Sequence, residues 1–200
     1  MPVTYPYTFV DDVGQTASGD QVMANFDAVK SRVDALEAVS AAQTASLSGA
    51  TSKTFTGLNG NVDKGYELWL AGQLNVGGAV RVVRLRPNGV SGAVYNYNLH
   101  VIGDGNGAIN GLSRAADSGL FVASTFSALN SGPITATLRL GAATGGMRLG
   151  TVESAYIGSS LDVSYTGHTW WTDTAANITS LVLNFGGGSF TGTAILRPLL

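Results

Sequence analysis

The sequence predicts a mainly β protein, in which an N-terminal extended peptide and a short trimeric coiled-coil helix precede a jelly-roll-like β-sandwich. Three observations carry this expectation. Residues 18–47 form the only stretch with a clean helical period. From Tyr66 onward, short apolar and alternating runs are separated by Gly, Pro and Asn turn signals. The composition, with 27 glycines and only 12% charged residues but 44% hydrophobic residues, suits a folded β domain and can fill a core.

Residues 1–17 are expected to lack a fold of their own. Tyr5, Tyr7 and Phe9 alternate with Pro6 and Thr8, so the three rings share one face of an extended chain. Pro2 and Pro6 oppose helix. Three aromatics on a terminal peptide need cover, and the expectation is docking on a partner surface. The alternative is packing along the chain's own helix or sheet.

The helix is expected over 18–47. Ser18 and Gln21 fit a capping box, and Asp20 suits the positive end of the helix dipole. Val22, Val29, Leu36 and Gln43 fall at heptad position d, and Phe26, Val33, Ser40 and Leu47 at a. Arg32 at g and Glu37 at the next e match the interchain pair of a parallel coiled coil. Valine at d packs poorly in a two-stranded seam, so Val22, Phe26, Val29, Val33 and Leu36 point to three strands. A continuous helix of this span would be about 45 Å long. Ser40 and Gln43 weaken the seam, and the competing reading is an amphipathic helix packed on the β domain.

Residues 48–65 read as a linker and first strand: Ser48-Gly49 ends the helix, Thr54–Leu58 extends, and Asn59-Gly60 turns. The sandwich is expected over 66–200. Its strands are Tyr66–Leu74, Val80–Arg86, Val94–Ile102, Gly119–Phe126, Ile134–Leu140, Arg148–Ile157, Leu161–Tyr165, Thr169–Thr172, Ile178–Phe185 and Ser189–Leu196. Within Val94–Ile102, Tyr95, Tyr97, Leu99 and Val101 share one side. No internal repeat of fixed period is present.

Charge and composition exclude several function classes. The net charge is −2, and it is uneven: residues 1–50 carry six acids against Lys30 and Arg32, and the remainder seven acids against nine bases. Neither part has the basic excess of a nucleic-acid binder. With no cysteine there is neither a disulfide framework nor a thiolate metal site. No basic segment followed by an apolar run opens the chain, so no signal peptide is expected, and no apolar stretch is long enough to span a membrane as a helix.

No catalytic set, metal site or cofactor is expected. Residues 103–108 satisfy G-x-G-x-x-A, but Ile109–Ser118 is too short and Gly-broken for the helix a dinucleotide site needs. The same residues resemble half a calcium loop without the remaining ligands. His168 could be drawn with Asp162 and Asp173, and Glu67 with Glu153 as a glycosidase pair, but neither spacing requires it. His100 is the other histidine, and Asn177-Ile178-Thr179 is a glycosylation triplet relevant only on secretion. Trp170 and Trp171 are adjacent, so in a strand one faces the core and the other outward. An outward Trp, with Tyr95 or Tyr97, is a candidate platform for a sugar ring. The competing reading covers both rings with a neighbouring strand or subunit. Trp69 sits in an apolar run and is expected in the core.

Taken together, the chain resembles a small bacteriophage virion fibre protein. The resemblance rests on Phe9 and Ala17-Ser-Gly-Asp-Gln-Val-Met-Ala-Asn-Phe26 leading into a short heptad. It extends to Tyr66-Glu67-Leu68, Val83-Arg84-Leu85-Arg86-Pro87-Asn88-Gly89 and Tyr95-Asn96-Tyr97, and to the ending Ile178–Leu183 with Phe190–Leu196. It implies a virion-located homotrimer whose N-terminus meets another virion protein and whose β domains point outward, with no catalytic residues. A tail fibre or receptor-binding protein contacting host surface glycan is the expected role. A head fibre or capsid decoration protein is the alternative, and a polysaccharide depolymerase or a secreted lectin come from other classes.

Overall fold

The computed structural model describes residues 9–10, 16–17, 19–37, 41–103, 109–125, 131–142, 145, 147–157 and 162–199. The protein is mainly β, with 64% of residues in strands. The chain divides into two compact units, Met1–Val39 and Ser40–Leu200.

In the first unit, strand β1 (Phe9–Val10) pairs antiparallel with β2 (Thr16–Ala17), and helix α1 runs over Gly19–Glu37. Residues 1–17 are therefore not wholly without structure, because Phe9 lies opposite Ala17. Tyr5, Tyr7 and the capping residue Ser18 lie outside the described residues. Helix α1 contains Val22, Phe26, Val29, Val33 and Leu36, but it does not reach Leu47. Gln43 and Leu47, expected at heptad positions, lie instead in strand β3 (Gln43–Ala50). The physical reason is a change of period. From Thr44 onward Thr and Ser alternate with Ala45 and Leu47, a two-residue pattern that a pairing strand satisfies and a helix does not. Basic residues are also missing from the last helical turn, where they would favour the negative end of the dipole. The second unit accordingly begins ahead of residue 48, and residues 48–65 hold the end of β3 and a strand, Ser52–Thr56, that overlaps the expected Thr54–Leu58.

The second unit continues with β4 (Ser52–Thr56), β5 (Gly65–Asn75), β6 (Val82–Pro87), β7 (Tyr95–Gly103), β8 (Ile109–Asp117) and β9 (Leu120–Ser124). It ends with β10 (Gly132–Gly141), β11 (Arg148–Ile157), β12 (Asp162–Trp171), β13 (Ser180–Asn184) and β14 (Ser189–Leu199). Eight of these form one antiparallel sheet in the order β3-β14-β5-β10-β11-β12-β7-β8, and four form a second in the order β4-β13-β6-β9. The C-terminal strand β14 thus lies between β3 and β5. Ile109–Asp117 is a strand rather than an irregular segment, and Leu161–Tyr165 and Thr169–Thr172, expected separately, are one strand, β12.

The core lies between the two sheets in a sandwich-like layout. From the large sheet Tyr66, Leu68, Leu70, Ile134, Leu138 and Leu99 face inward, and from the small sheet Val83, Leu85, Leu181 and Leu183 do so. Each such side chain contributes about 1.5–3 kcal/mol on burial. Phe121 on β9 joins the layers, with its ring centroid 5.2 Å from those of Tyr97 and Tyr165. Its amide donates to Thr169 Oγ1 at 3.1 Å.

This packing decides the fate of the aromatic residues. Tyr95 and Tyr97 share the inward parity of Leu99 and are buried, and Trp171 is fully buried and stacked on Tyr95 at 6.1 Å. None of the three can serve as a surface platform. Trp69 is the converse: its strand neighbours Leu68 and Leu70 point inward, so pleating turns Trp69 outward, and it is 42% exposed. The buried Arg148 guanidinium lies 4.7 Å from the Trp171 ring and donates to the Ala176 carbonyl. Burial lowers its pKa from the usual arginine value, opposed by the charge of Asp173.

Two positions give direct tests. Gly72 and Gly192 face each other across β5 and β14, where Gly192 has φ +153° and the Phe190 ring lies over the gap. A Cβ at Gly72 would stand 2.3 Å from the Thr191 carbonyl oxygen and 2.6 Å from Phe190 Cζ. Gly72→Ala is expected to lower unfolding stability by about 1–3 kcal/mol in a urea titration, and an unchanged midpoint would contradict this packing. The Asp173 carboxylate accepts the amides of Ala175 and Ala176 at 2.9 and 3.1 Å, which depress its pKa. A depressed folded-state value means stability that is present above the unfolded pKa, about 3.9, and lost as pH falls through the folded one. Asp173→Asn should therefore melt below wild type at pH 7, with the gap closing below about pH 4. A gap independent of pH would contradict the assignment.

Candidate functional site on the open face of the large sheet

The face of the large sheet turned away from the core is built by the second residue of each pleat. Register aligns these residues into cross-strand rows. Ile195, Trp69, Thr137 and Glu153 form one row, on β14, β5, β10 and β11. Arg197, Glu67, Arg139 and Thr151 form the next row on the same strands. The two rows enclose a depression of about 510 Å³. The rows continue onto β12 and β7 with Thr166 and His100, and with His168 and Asn98, around a smaller depression of about 310 Å³.

The charges here are ordered by strand neighbours. Arg139 Nε donates to Glu67 Oε1 at 2.7 Å, with Glu67 the more covered partner. That hydrogen bond and the Glu67 charge raise the Arg139 pKa, and Glu153 adds to the effect from the neighbouring strand. Arg197 stands opposite Glu67 on its other side. Among the described residues, no side-chain hydrogen bond or ion pair engages Arg197 or Glu153. The depression therefore holds one hydrogen-bonded ion pair, with Arg197 opposite Glu67 and Glu153 within the field of Arg139 but neither of them hydrogen-bonded, beside an exposed indole ring and two threonine hydroxyls.

Glu67 and Glu153, which no spacing in the chain connects, are brought to one depression by the fold. They sit on β5 and β11 with β10 between them and one pleat of offset, so their Cα atoms are about 12 Å apart by strand spacing. Arg139 occupies the intervening strand and binds Glu67. The two carboxylates face a guanidinium rather than each other, an arrangement suited to holding hydroxyl groups.

The remaining expected residues fall elsewhere. Trp170 is the outward member of its pair: it is half-buried on the open face, opposite Leu149 and Asn96, two residues along β12 from His168. Asp162 lies at the far end of β12 from His168, and Asp173 is occupied in its turn. Among the described residues no group of three His, Cys, Asp or Glu side chains is placed to hold a metal. Residues 104–108, the core of the Gly-rich loop, lie outside the described residues. Trp69 is the site residue that the apolar run concealed. The signal for it is parity: Glu67, Trp69, Ala71 and Gln73 share one side of β5, opposite Tyr66, Leu68 and Leu70.

A second surface belongs to the first unit. On α1, Phe26 is 64% exposed and Val29 59% exposed, at positions that face one side of the helix. No helix among the described residues is long and apolar enough to cross a membrane. The chain matches no protein-family model and no curated protein.

Proposed function

We propose that the protein is a structural and adhesive fibre protein of a phage or phage-like particle, of the tail-fibre or receptor-binding type. Three copies associate in parallel through α1 as a short coiled coil. The segment ahead of the helix, with Tyr5, Tyr7 and Phe9, docks on another virion protein. The β domain, a jelly-roll-like sandwich, is carried outward and meets host surface glycan by binding, without catalysis.

The observation that carries this reading is the exposed apolar seam of α1. Phe26 and Val29 are exposed on α1. With Val22, Val33 and Leu36 they recur at intervals of three and four, the spacing by which neighbouring helices bury a shared stripe. Valine at d favours three strands over two. The sheet face supports the adhesive half of the reading, because one depression gathers an exposed indole with charged and hydroxyl side chains, the combination of apolar platform and polar groups that a sugar ring uses.

Light scattering of the full-length protein is expected to give three times the 20.5 kDa chain mass. Phe26→Asp with Val29→Asp should dissociate it to monomers at micromolar concentration, since three carboxylates would meet in each layer. A wild-type monomer would overturn the reading. A double mutant that stays trimeric would assign the assembly to the β domains instead.

A further inference from the structure

We propose that the depression around Trp69 is a subsite for one neutral pyranose unit, with Trp69 as the stacking platform and Arg197 and Glu153 as the groups that bind its hydroxyls. The inference rests on the adhesive reading above and gives it a location and a ligand class.

The ring comes first. Trp69 is 42% exposed on a sheet face whose other members in its two rows are polar, apart from Ile195. Its strand neighbour Ala71 is small, and Thr137 beside it is short, so the indole face is accessible. The C–H face of a pyranose is the surface that stacks on such a ring, and its hydroxyls point outward around the edge.

Charge selects the class. Glu67 and Arg139 neutralise each other at 2.7 Å. What remains is the Arg197 guanidinium and the Glu153 carboxylate, neither of which makes a side-chain hydrogen bond among the described residues. A hydroxyl group both donates and accepts, so a neutral sugar satisfies the two together: one hydroxyl donates to Glu153 and another accepts from Arg197. A uronate or sialyl carboxylate would gain Arg197 but meet Glu153 within the same depression, and a phosphate backbone would meet the same repulsion. The balance of two acids and two bases favours an uncharged ligand.

Dimensions agree. Glu153 lies two strands from Trp69 across Thr137, about 10 Å by strand spacing, which leaves room for one ring and a hydrogen bond at its far side. Thr137 and Thr151 supply hydroxyls along the floor. The open form of the depression implies weak binding per site, which three copies on one fibre would raise through multivalency.

The test uses the intact protein on an array of neutral hexose and N-acetylhexosamine oligosaccharides and of sialylated and uronate-containing ones. The strongest binder is then titrated by calorimetry. Neutral glycans should be bound. Trp69→Ala should weaken binding by at least about tenfold and Trp69→Phe by less, while Glu153→Gln and Arg197→Gln should each cost about threefold. Trp170→Ala, on the same face but outside the depression, should stay within about twofold of wild type. Matching melting curves for all variants confirm that each is folded. Binding to acidic glycans alone, absence of glycan binding, or loss of binding on Trp170→Ala with Trp69→Ala unaffected would each overturn the subsite. The outcomes separate the subsite from the reading it rests on: glycan binding untouched by Trp69→Ala keeps the adhesive fibre and removes only the subsite, a trimer that binds no glycan keeps the fibre and removes both the adhesive role and the subsite, and a monomer removes the fibre whatever it binds.

Discussion

The large sheet is buried on one face only, and the rest of the β domain depends on that constraint. Because the small sheet covers a single face, every strand beneath it must send alternate side chains inward, and a slip of one residue would exchange the two faces. Phe121 fixes the relationship between layers, since its ring touches Tyr97 and Tyr165 while its amide is held by Thr169. With Tyr66, Leu68 and Leu70 committed to the core, Glu67 and Trp69 have no other place than the open face. The candidate site is thus a consequence of core packing. Its polar residues need no local signal of their own, because the pleat carries them there.

The same constraint explains which parts of the architecture were legible in the chain. Tyr95–Ile102 and Ile134–Leu140 alternate cleanly, and both are strands whose inward sides match the pattern. Leu68-Trp69-Leu70-Ala71 is apolar on both sides, so hydrophobicity alone assigns Trp69 to the interior. Only the longer frame from Glu67 to Gln73 reveals its side. Tyr95, Tyr97 and Trp171 fail as a surface platform for the converse reason: their hydroxyl or indole groups suggest exposure, but their parity is that of Leu99 and of the buried Thr169. For these aromatic residues local composition misled in both directions, and the two-residue period did not.

The helix boundary has a different cause. Ala41–Leu47 carries alanines that suit a helix and a Ser/Thr alternation that suits a strand. Tertiary context decides between them, because β14 pairs with β3 continuously from Gln43 to Leu47 and again, past a register shift, at Ala50. Pairing with the last strand of the chain cannot be read from residues 41–50. Likewise, Glu67 and Glu153 are far apart in sequence and line one depression only because β10 pairs with both β5 and β11. The expected strands were nearly all recovered from local pattern, whereas the site is assembled from long-range register and was not.

The register of the large sheet sets the direction in which three tryptophans point. Hydroxyl-radical footprinting of the native full-length protein, with oxidation assigned residue by residue by tandem mass spectrometry, tests it most directly. Trp69 should be oxidised readily, Trp170 to a lesser extent, and Trp171 only after unfolding. Protection of Trp69 together with ready oxidation of Trp171 would mean that the sheet is in the opposite register, and both the core and the candidate site would then be wrong.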